Sequence, residues 1–209
     1  MKELDLLKKD WQKNNAFEQI SELEIYKMLH TKSSSIVKWI FIISILEILL
    51  WTLISIIFNT DEYLKNTKYI EFSMYFQALN FFNYGVILVF IYLFYKNYVV
   101  ISTTVSTKQL MKDILKTRKT VQCYVWFNLG MATLSLIFGF FIAFTSDPEA
   151  LALSDKITSD SKVMAVTIGI LIVIIAVFLS LFWLFYKLLY GILLKKLYRN
   201  YNELKKIDL

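Results

Sequence analysis

The sequence is poor in the residues that build cross-linked or metal-bound proteins. It has one cysteine, one histidine, one proline and five glycines among 209 residues. A single cysteine cannot form an intramolecular disulfide. One cysteine with one histidine cannot supply the usual ligands of a zinc or haem-iron site. These absences exclude a disulfide scaffold and predict a chain without a metal or other cofactor.

Charged residues are also scarce. They make up 19% of the chain, and hydrophobic residues make up 57%. Soluble domains average roughly 25% charged and about 45–50% apolar residues. Because the apolar residues are concentrated in long uncharged runs, a disordered chain is excluded. The composition indicates an integral membrane protein whose main surroundings are the lipid bilayer.

Four apolar runs are long enough to span a membrane. A spanning helix needs about 20 mostly apolar residues to cross ~30 Å of hydrocarbon. The predicted spans cover about residues 36–58, 78–98, 121–144 and 163–190. None contains proline, so each can form an unbroken helix with its backbone groups satisfied internally. The prediction is an all-α four-helix bundle of two antiparallel hairpins, with a membrane domain over residues 36–194.

The basic residues predict the direction of threading. Most of the 23 Lys and Arg residues lie before the first span, between the second and third, or after the fourth. Only Lys65, Lys68, Lys156 and Lys162 lie in the other two connections, which are rich in acidic residues. Cytoplasmic segments carry the excess of Lys and Arg. We therefore expect a multi-pass protein of the bacterial inner membrane with both termini cytoplasmic, and nucleic-acid binding is not needed to explain the net charge of +6.

Aromatic residues near the span ends fit this topology. Those near the predicted cytoplasmic ends are Trp39, Tyr95, Tyr98, Tyr124, Trp126, Tyr186 and Tyr190. Amphipathic rings favour the level of the lipid headgroups. We therefore interpret these side chains as interfacial anchors.

Residues 1–35 form a predicted cytoplasmic arm. Leu4, Leu7 and Trp11 share one helical face, and Ser21 with Glu24 has the spacing of a capping box at the start of a second helix. One interpretation is an amphipathic helix lying on the anionic inner leaflet. Another is a docking helix for a cytoplasmic partner or a second copy, anchored by Leu4, Leu7 and Trp11. Disorder is the third alternative.

The second and fourth spans extend beyond the membrane in this reading. Apolar residues continue at helical spacing after the fourth span, which predicts a helix from Val163 to about Lys206 and a cytoplasmic helical tail over residues 195–209. The second span is followed by a similar pattern toward Leu110 and Ile114. A bend is expected in the Thr-rich residues 102–107, because threonine has low helix propensity.

Glu47 is an acidic residue deep within the first span. It lies about 11 residues, or ~16 Å, from the predicted start of that span. A carboxyl group at this depth is costly, so such residues face the bundle interior and carry a functional hypothesis by default. Three roles stay open for Glu47, namely a neutral acid that holds helices together, a proton- or cation-responsive site, and an oligomer contact.

Two polar helix faces predict the surroundings of Glu47. The face on the first span contains Ser44, Glu47, Trp51 and Ser55. The face on the third span contains Asn128, Ala132, Ser135 and Gly139. Small and polar residues allow close helix approach and hydrogen bonds across it. We therefore expect the first helix to pack on the third, with Glu47 near Asn128 or Ser135 and with Tyr92 as a further partner.

The N-terminal part of the chain carries a family resemblance. The residues concerned are Glu3-Leu4-Asp5-Leu6-Leu7-Lys8-Lys9-Asp10-Trp11, Ile25-Tyr26-Lys27-Met28-Leu29 and Ser33-Ser34-Ser35-Ile36-Val37-Lys38-Trp39-Ile40. This stretch resembles the beginning of small four-span membrane proteins of Bacteroidota, a family with no established activity. Some of those proteins carry the label of carotene-cleaving monooxygenases. That class is a β-propeller with an iron held by four histidines, which one histidine cannot provide.

No catalytic constellation is visible in the sequence. It has no nucleophile with a base, no paired carboxylates and no phosphate-binding glycine loop. We therefore expect a protein that is not an enzyme and that acts as a regulatory, scaffold or assembly component, presenting cytoplasmic helices to a soluble or membrane partner. The alternative is a small oligomeric transporter or channel in which Glu47 is linked to protons or cations.

Overall fold

The computed structural model describes residues 21–57, 70–146 and 161–207, and these ranges contain helices and no strand. The helices are α1 (Glu22–Ile57), α2 (Ile70–Thr103), α3 (Thr107–Ser146), α4 (Ser161–Tyr186) and α5 (Ile192–Ile207). A π-helical segment, Lys187–Gly191, joins α4 to α5. The predicted docking residues Leu4, Leu7 and Trp11 lie outside the described residues.

Four helical runs are long and apolar enough to cross a membrane. They are Glu22–Ile57, Gln77–Thr103, Thr107–Ile142 and Ser161–Lys206. The all-α class and the four apolar helices predicted from the sequence are therefore confirmed for the described part of the chain. Each run overlaps one of the four predicted spans and extends beyond it.

The helices pack as a ring in which each contacts its neighbours. Helix α1 packs on α2 and α5, and α3 packs on α2, α4 and α5. Helices α1 and α3 lie diagonally across the bundle and meet at few points. The expected close packing of the first helix on the third through small residues is therefore wrong, since the centre of the bundle separates them over most of their length.

The bundle has two parts with different packing. We call residues 21–46, 91–123 and 187–207 the tail half, because it holds the C-terminal helix. We call residues 47–57, 70–90, 124–146 and 161–186 the loop half, because its helices lead into the two longer connections. The core of the tail half comprises Leu29, Val37, Ile101, Leu110, Ile114, Leu197 and Leu204.

Two hydrogen bonds in the tail half join polar groups that are far apart in the sequence. Asn200 Nδ2 of α5 donates to Ser33 Oγ of α1 at 3.0 Å. Tyr26 Oη of α1 donates to the carbonyl oxygen of Thr104 at 2.9 Å. Buried polar groups cost free energy unless they are hydrogen-bonded, so these bonds fix how the helices meet.

The start of α1 is capped as predicted. The backbone N–H of Ser21 donates to Glu24 Oε2 at 3.1 Å, and the N–H of Glu24 donates to Ser21 Oγ at 3.3 Å. The helix then continues without a break through Ser33 into the apolar run. The described part of the predicted arm and the first span are thus one helix.

The expected bend after the second span is a full reversal of the chain. Helix α2 ends at Thr103 and α3 begins at Thr107. Thr103 Oγ1 donates to a backbone carbonyl of α2, and the single O–H of Thr104 is shared between the carbonyl oxygen of Val100 at 2.7 Å and Asp113 Oδ2 of α3 at 3.1 Å. Such bonds from Ser and Thr side chains compete with helix continuation. The central basic segment is therefore helical on both sides of a three-residue turn.

The predicted extension of the fourth span is confirmed. Helix α4, the π segment and α5 follow one another from Ser161 to Ile207. Leu197 and Leu204 of α5 are fully buried in the tail half, seven residues apart. Residues seven apart lie on the same face of a helix, so the apolar face of α5 packs against the other helices of the tail half.

The loop half is much more open. Tyr186 is the one buried residue of α4. Three consecutive residues of this helix, Ile172, Val173 and Ile174, are 61%, 61% and 46% exposed. Consecutive helix positions point in directions about 100° apart, so α4 is uncovered on most of its circumference at this level. An apolar surface of this kind needs lipid or another apolar surface around it.

Candidate functional site

Glu47 is buried where the two halves meet, and three tyrosines bind it. Its side chain is 4% exposed. Tyr124 Oη and Tyr190 Oη each donate to Oε2 at 2.9 Å, and Tyr186 Oη donates to Oε1 at 2.6 Å. We call these four residues the tyrosine cluster. It joins α1, α3, α4 and the π segment at one point.

The local helix geometry brings two of the tyrosines to the same side. Tyr186 and Tyr190 are four residues apart, a spacing that places side chains on one helical face. Their rings stack with centroids 6.2 Å apart. The π segment begins directly after Tyr186 and contains Tyr190. Such π segments inside α-helices are often found at functional sites.

Aromatic rings of α2 hold Tyr124 in place. Phe90 and Phe94 meet its ring edge-on with centroids 5.4 Å and 5.3 Å away. Phe94 is fully buried, as are Ile40 and Val121 on neighbouring helices. Edge-to-face contacts of this kind fix ring orientation and add to the burial energy. The tail side of the tyrosine cluster is therefore closed by packed side chains.

A pocket of about 370 Å³ lies on the loop side of the tyrosine cluster. Glu47, Tyr124 and Tyr186 line it together with residues of α1, α2, α3 and α4. Its other polar lining residues are Asn80, Asn83, Tyr84, Asn128 and Ser135. The pocket thus combines one buried carboxyl group with amides and hydroxyls inside a mostly apolar bundle.

Stacked aromatic rings form one wall of the pocket. Trp51 stacks on Phe182 with centroids 5.5 Å apart, and Phe178 stacks on Phe182 at 4.6 Å. All three residues line the pocket. The wall joins α1 to α4 one turn beyond Glu47, so it lies next to the carboxyl group.

Asn128 and Asn83, which both line the pocket, differ in their hydrogen bonding. Asn128 Nδ2 donates to the carbonyl oxygen of Tyr124, one turn earlier on α3, at 2.8 Å. Asn83 Oδ1 is buried and has no hydrogen-bond partner in the described part of the chain. A buried acceptor without a donor is costly, so the Oδ1 atom of Asn83 lacks a hydrogen bond that the described residues do not supply.

The structure brings together some of the residues singled out in the sequence. Glu47, Asn128 and Ser135 line one pocket, although the hydrogen-bond donors to Glu47 are tyrosines. Ser44 is buried on the same face of α1 and donates to the carbonyl oxygen of Phe41 at 2.7 Å.

Tyr92 does not join the site. Its side chain is 61% exposed. It lies two residues from both Phe90 and Phe94, which contact the tyrosine cluster. Positions two apart on a helix point about 200° apart, so Tyr92 faces away from Glu47. Helix α2 supplies phenylalanines to the cluster in place of the expected tyrosine.

Three residues of the site were missed from the sequence. Their positions near span ends favour interfacial anchors, yet Tyr124, Tyr186 and Tyr190 are at most 2% exposed and donate to Glu47. A signal was available for Tyr124, because the polar face of the third span extends one turn back from Asn128 to this residue. For Tyr186 and Tyr190 the four-residue spacing was the visible sign of a shared face.

In the described part of the chain, no group of three or more His, Cys, Asp or Glu side chains could hold a metal ion.

Comparison with known proteins gives a family and no activity. No curated protein matches the chain, and no solved structure matches it. The profile of one family matches residues 23–209, which is most of the chain. The protein therefore belongs to the family described as Domain of unknown function (DUF8845).

Proposed function

We propose that the protein is a non-enzymatic integral membrane protein that binds a small solute in the pocket at Glu47. The observation that carries this proposal is a cavity of about 370 Å³ with a buried carboxyl group in its lining. Pockets of ~300–1,000 Å³ with apolar walls and a few polar groups are typical ligand sites. This function gives Glu47 a role beyond holding helices together.

The hydrogen bonding of Glu47 supports a ligand role. An ionised carboxylate has about four lone-pair sites. Three tyrosine hydroxyls occupy three of them. The tyrosines therefore hold the carboxylate in one orientation. One lone pair of the carboxylate, which lines the pocket, is left to accept a further hydrogen bond. A solute that makes this bond contacts the junction between the two halves directly.

The tail half is the proposed cytoplasmic end. Its described surface carries basic residues such as Lys195, Lys196 and Arg199 on α5. Excess Lys and Arg at one end of the spans favours the cytoplasmic side of a bacterial inner membrane. In this orientation the pocket lies toward the outer side of Glu47, and the tail half is the part that a cytoplasmic partner meets.

The alternative function is a cation- or proton-linked transporter, and the pocket supports only its solute-binding step. The pocket provides a site near the level of a buried carboxyl group, as transport of a small solute requires. On the tail side, however, Phe94, Tyr124 and Tyr190 are packed with at most 1% exposure. Passage would need separation of these rings, so binding is the activity that the geometry favours.

A regulatory or scaffold role is the second candidate. One observation favours it, since α5 extends 16 residues beyond the π segment and packs into the core of the tail half. A helical end of this kind offers a folded surface to another protein. Because Tyr190 of the π segment bonds to Glu47, a solute at Glu47 would act on the helix that leads to that surface.

Thermal unfolding of the full chain in detergent tests the proposal. A panel of small amines, alcohols, acids and amides is added to wild type, to Ala132→Trp, which fills the pocket, and to Leu134→Trp. The last variant places the same ring at a 54% exposed position of the same helix. A ligand at 100 times its Kd stabilises the folded state by about 2.7 kcal/mol.

The expected result is that at least one compound raises the Tm of wild type and of Leu134→Trp but leaves Ala132→Trp unchanged. Ser135→Phe fills the same pocket from the next turn of α3 and serves as a second blocked variant. If no compound stabilises wild type, or if the blocked variants respond equally, the pocket is not a ligand site and the proposed function is wrong.

A further inference from the structure

We infer that the ligand of this pocket is a small organic ammonium ion, with its N–H groups on Glu47 and Asn83 and its apolar body against the aromatic wall. The inference rests on the proposed function and deepens it by naming the ligand class. Three features of the pocket carry it, namely its unmet acceptors, its charge and its aromatic side chains.

The unmet groups of the pocket are acceptors. Glu47 has one lone-pair site beyond its three tyrosine donors. Asn83 Oδ1 is buried without a partner in the described residues. Both residues line the pocket. A ligand that satisfies them must bring hydrogen-bond donors, and a primary ammonium group brings three.

The charge of the pocket favours a cation over a neutral donor. Glu47 is the one carboxylic acid in the described lining, and no lysine, arginine or histidine of the described residues lines the pocket. The described hydrogen-bond partners of Glu47 are three tyrosine hydroxyls, which carry no positive charge. A charge-assisted hydrogen bond is roughly twice as strong as a neutral one. An ammonium ion at Glu47 would therefore gain more than an alcohol of the same shape.

The aromatic wall fits the rest of such a ligand. Trp51, Phe178 and Phe182 present stacked rings beside the carboxyl group. The faces of aromatic rings attract cations, and tryptophan does so best. The same rings offer apolar area to a hydrocarbon or aryl group. A carboxylate next to an aromatic wall thus selects an organic amine over an inorganic cation, which has no apolar part to bury.

A matched series of four compounds tests this inference on the full chain in detergent. Phenethylamine carries the ammonium group, and phenethyl alcohol replaces it with a hydroxyl. Hydrocinnamate carries a carboxylate on a similar skeleton, and phenethyltrimethylammonium keeps the charge without N–H donors. Isothermal titration measures the affinity of each compound for wild type and for the variants.

Wild type is expected to bind phenethylamine at least about tenfold more tightly than phenethyl alcohol, which corresponds to ~1.4 kcal/mol. Phenethyltrimethylammonium should bind several-fold more weakly than phenethylamine because it cannot donate to Asn83 or Glu47. Hydrocinnamate should bind most weakly, since its charge repels the carboxylate.

Two variants test whether Glu47 and Asn83 cause the preference for phenethylamine. Glu47→Gln keeps the side-chain shape and should reduce the ratio of amine to alcohol affinity to about one. Asn83→Ala leaves the tyrosine cluster intact and should weaken phenethylamine several-fold, so it remains informative if Glu47→Gln misfolds. The matched controls are Glu203→Gln and Asn202→Ala, both at exposed positions of α5, and they should bind as wild type does.

The possible failures are distinguishable. If phenethyl alcohol binds as tightly as phenethylamine and Ala132→Trp abolishes both, the ammonium inference is wrong and the proposed solute pocket stands. Tightest binding of hydrocinnamate also overturns the inference. If no compound of the series binds, the ammonium inference is wrong, and the separate compound panel decides the proposed function.

Discussion

The tail half and the loop half are built from the same four helical runs but are packed in different ways. In the tail half, Val37, Ile101 and Leu197 from three different helices are fully buried together. In the loop half, α4 contributes Tyr186 as its one buried residue, and a pocket of about 370 Å³ lies among the helices. The boundary between these two regions is the tyrosine cluster.

The difference indicates a division of roles. A well-packed core with paired polar groups supplies stability, because burial and satisfied hydrogen bonds are what hold a fold together. An open helix end next to a pocket costs stability but leaves room for a solute or lipid. The tail half therefore holds the helices in register, and the loop half contains the pocket that we propose as the ligand site.

The largest effect is expected from breaking the junction at Glu47. Glu47→Leu removes the acceptor of three buried hydroxyls, and each orphaned buried group costs about 1–3 kcal/mol. We expect a loss of about 3–6 kcal/mol in the free energy of unfolding, measured by thermal or denaturant unfolding in detergent. Glu47→Gln keeps one acceptor oxygen and should lose less than half as much.

The control for this prediction is Glu203→Leu. Glu203 is exposed on α5 and forms an ion pair with Arg199 at 3.9 Å. Exposed pairs contribute little, so this variant should stay within about 0.5 kcal/mol of wild type. A Glu47→Leu protein as stable as Glu203→Leu would mean that the tyrosine cluster does not join the two halves.

A second comparison uses one substitution in each half. Leu197 is fully buried in the tail half, and Leu181 is 62% exposed in the loop half. Deleting a buried leucine side chain costs about 2–5 kcal/mol, which includes the cavity left behind. Leu197→Ala should therefore lower the free energy of unfolding by about 3 kcal/mol, and Leu181→Ala by less than about 1 kcal/mol.

Unfolding of both variants under the same conditions measures this contrast. The two leucines belong to one helical run, so helix propensity changes equally in both. Equal losses would show that α4 is as well packed as α5 in the detergent-embedded protein, for example against another copy. The difference between the halves would then not exist in solution.

Local features of the fold could be predicted from the sequence. The four apolar helices were predicted because ~20 uncharged residues suffice to identify a span. The capping box at Ser21 and Glu24 and the helical continuation of the fourth span to about Lys206 are predictable, because each depends on residues spaced one or two helical turns apart. The reversal at residues 104–106 was underestimated, because a bend and a full turn share the same threonine-rich signal.

The site could be predicted only in part, because it depends on which helix faces meet. Glu47 and Asn128 were singled out from their depth and spacing. The partners of Glu47 were not, since Tyr124, Tyr186 and Tyr190 lie 77, 139 and 143 residues away in sequence. Near a span end, a tyrosine is equally compatible with the headgroup region and with a buried carboxylate. Which of these two environments a tyrosine occupies depends on the rotation of its helix about the helix axis, which the sequence does not specify.

The smallest effect concerns the end of the tail half. Ser21 and Glu24 satisfy each other's backbone N–H groups at the start of α1. Loss of an N-cap side chain costs about 0.5–2 kcal/mol. Ser21→Ala should therefore destabilise α1 by about 1 kcal/mol and increase amide hydrogen exchange over its first two turns. Exchange near Glu47 should not change, because that region is held by the tyrosine cluster.

Ser35→Ala is the matched control on the same helix. Ser35 is exposed in the middle of α1, where alanine has a higher helix propensity than serine. The same substitution should therefore be neutral or slightly stabilising at this position and destabilising at Ser21. If stability falls with Ser21→Ala but not with Ser35→Ala, the loss at Ser21 comes from the capping bond and not from helix propensity. If Ser21→Ala has no effect on exchange in the first turns of α1, the hydrogen bonds between Ser21 and Glu24 do not stabilise the start of this helix.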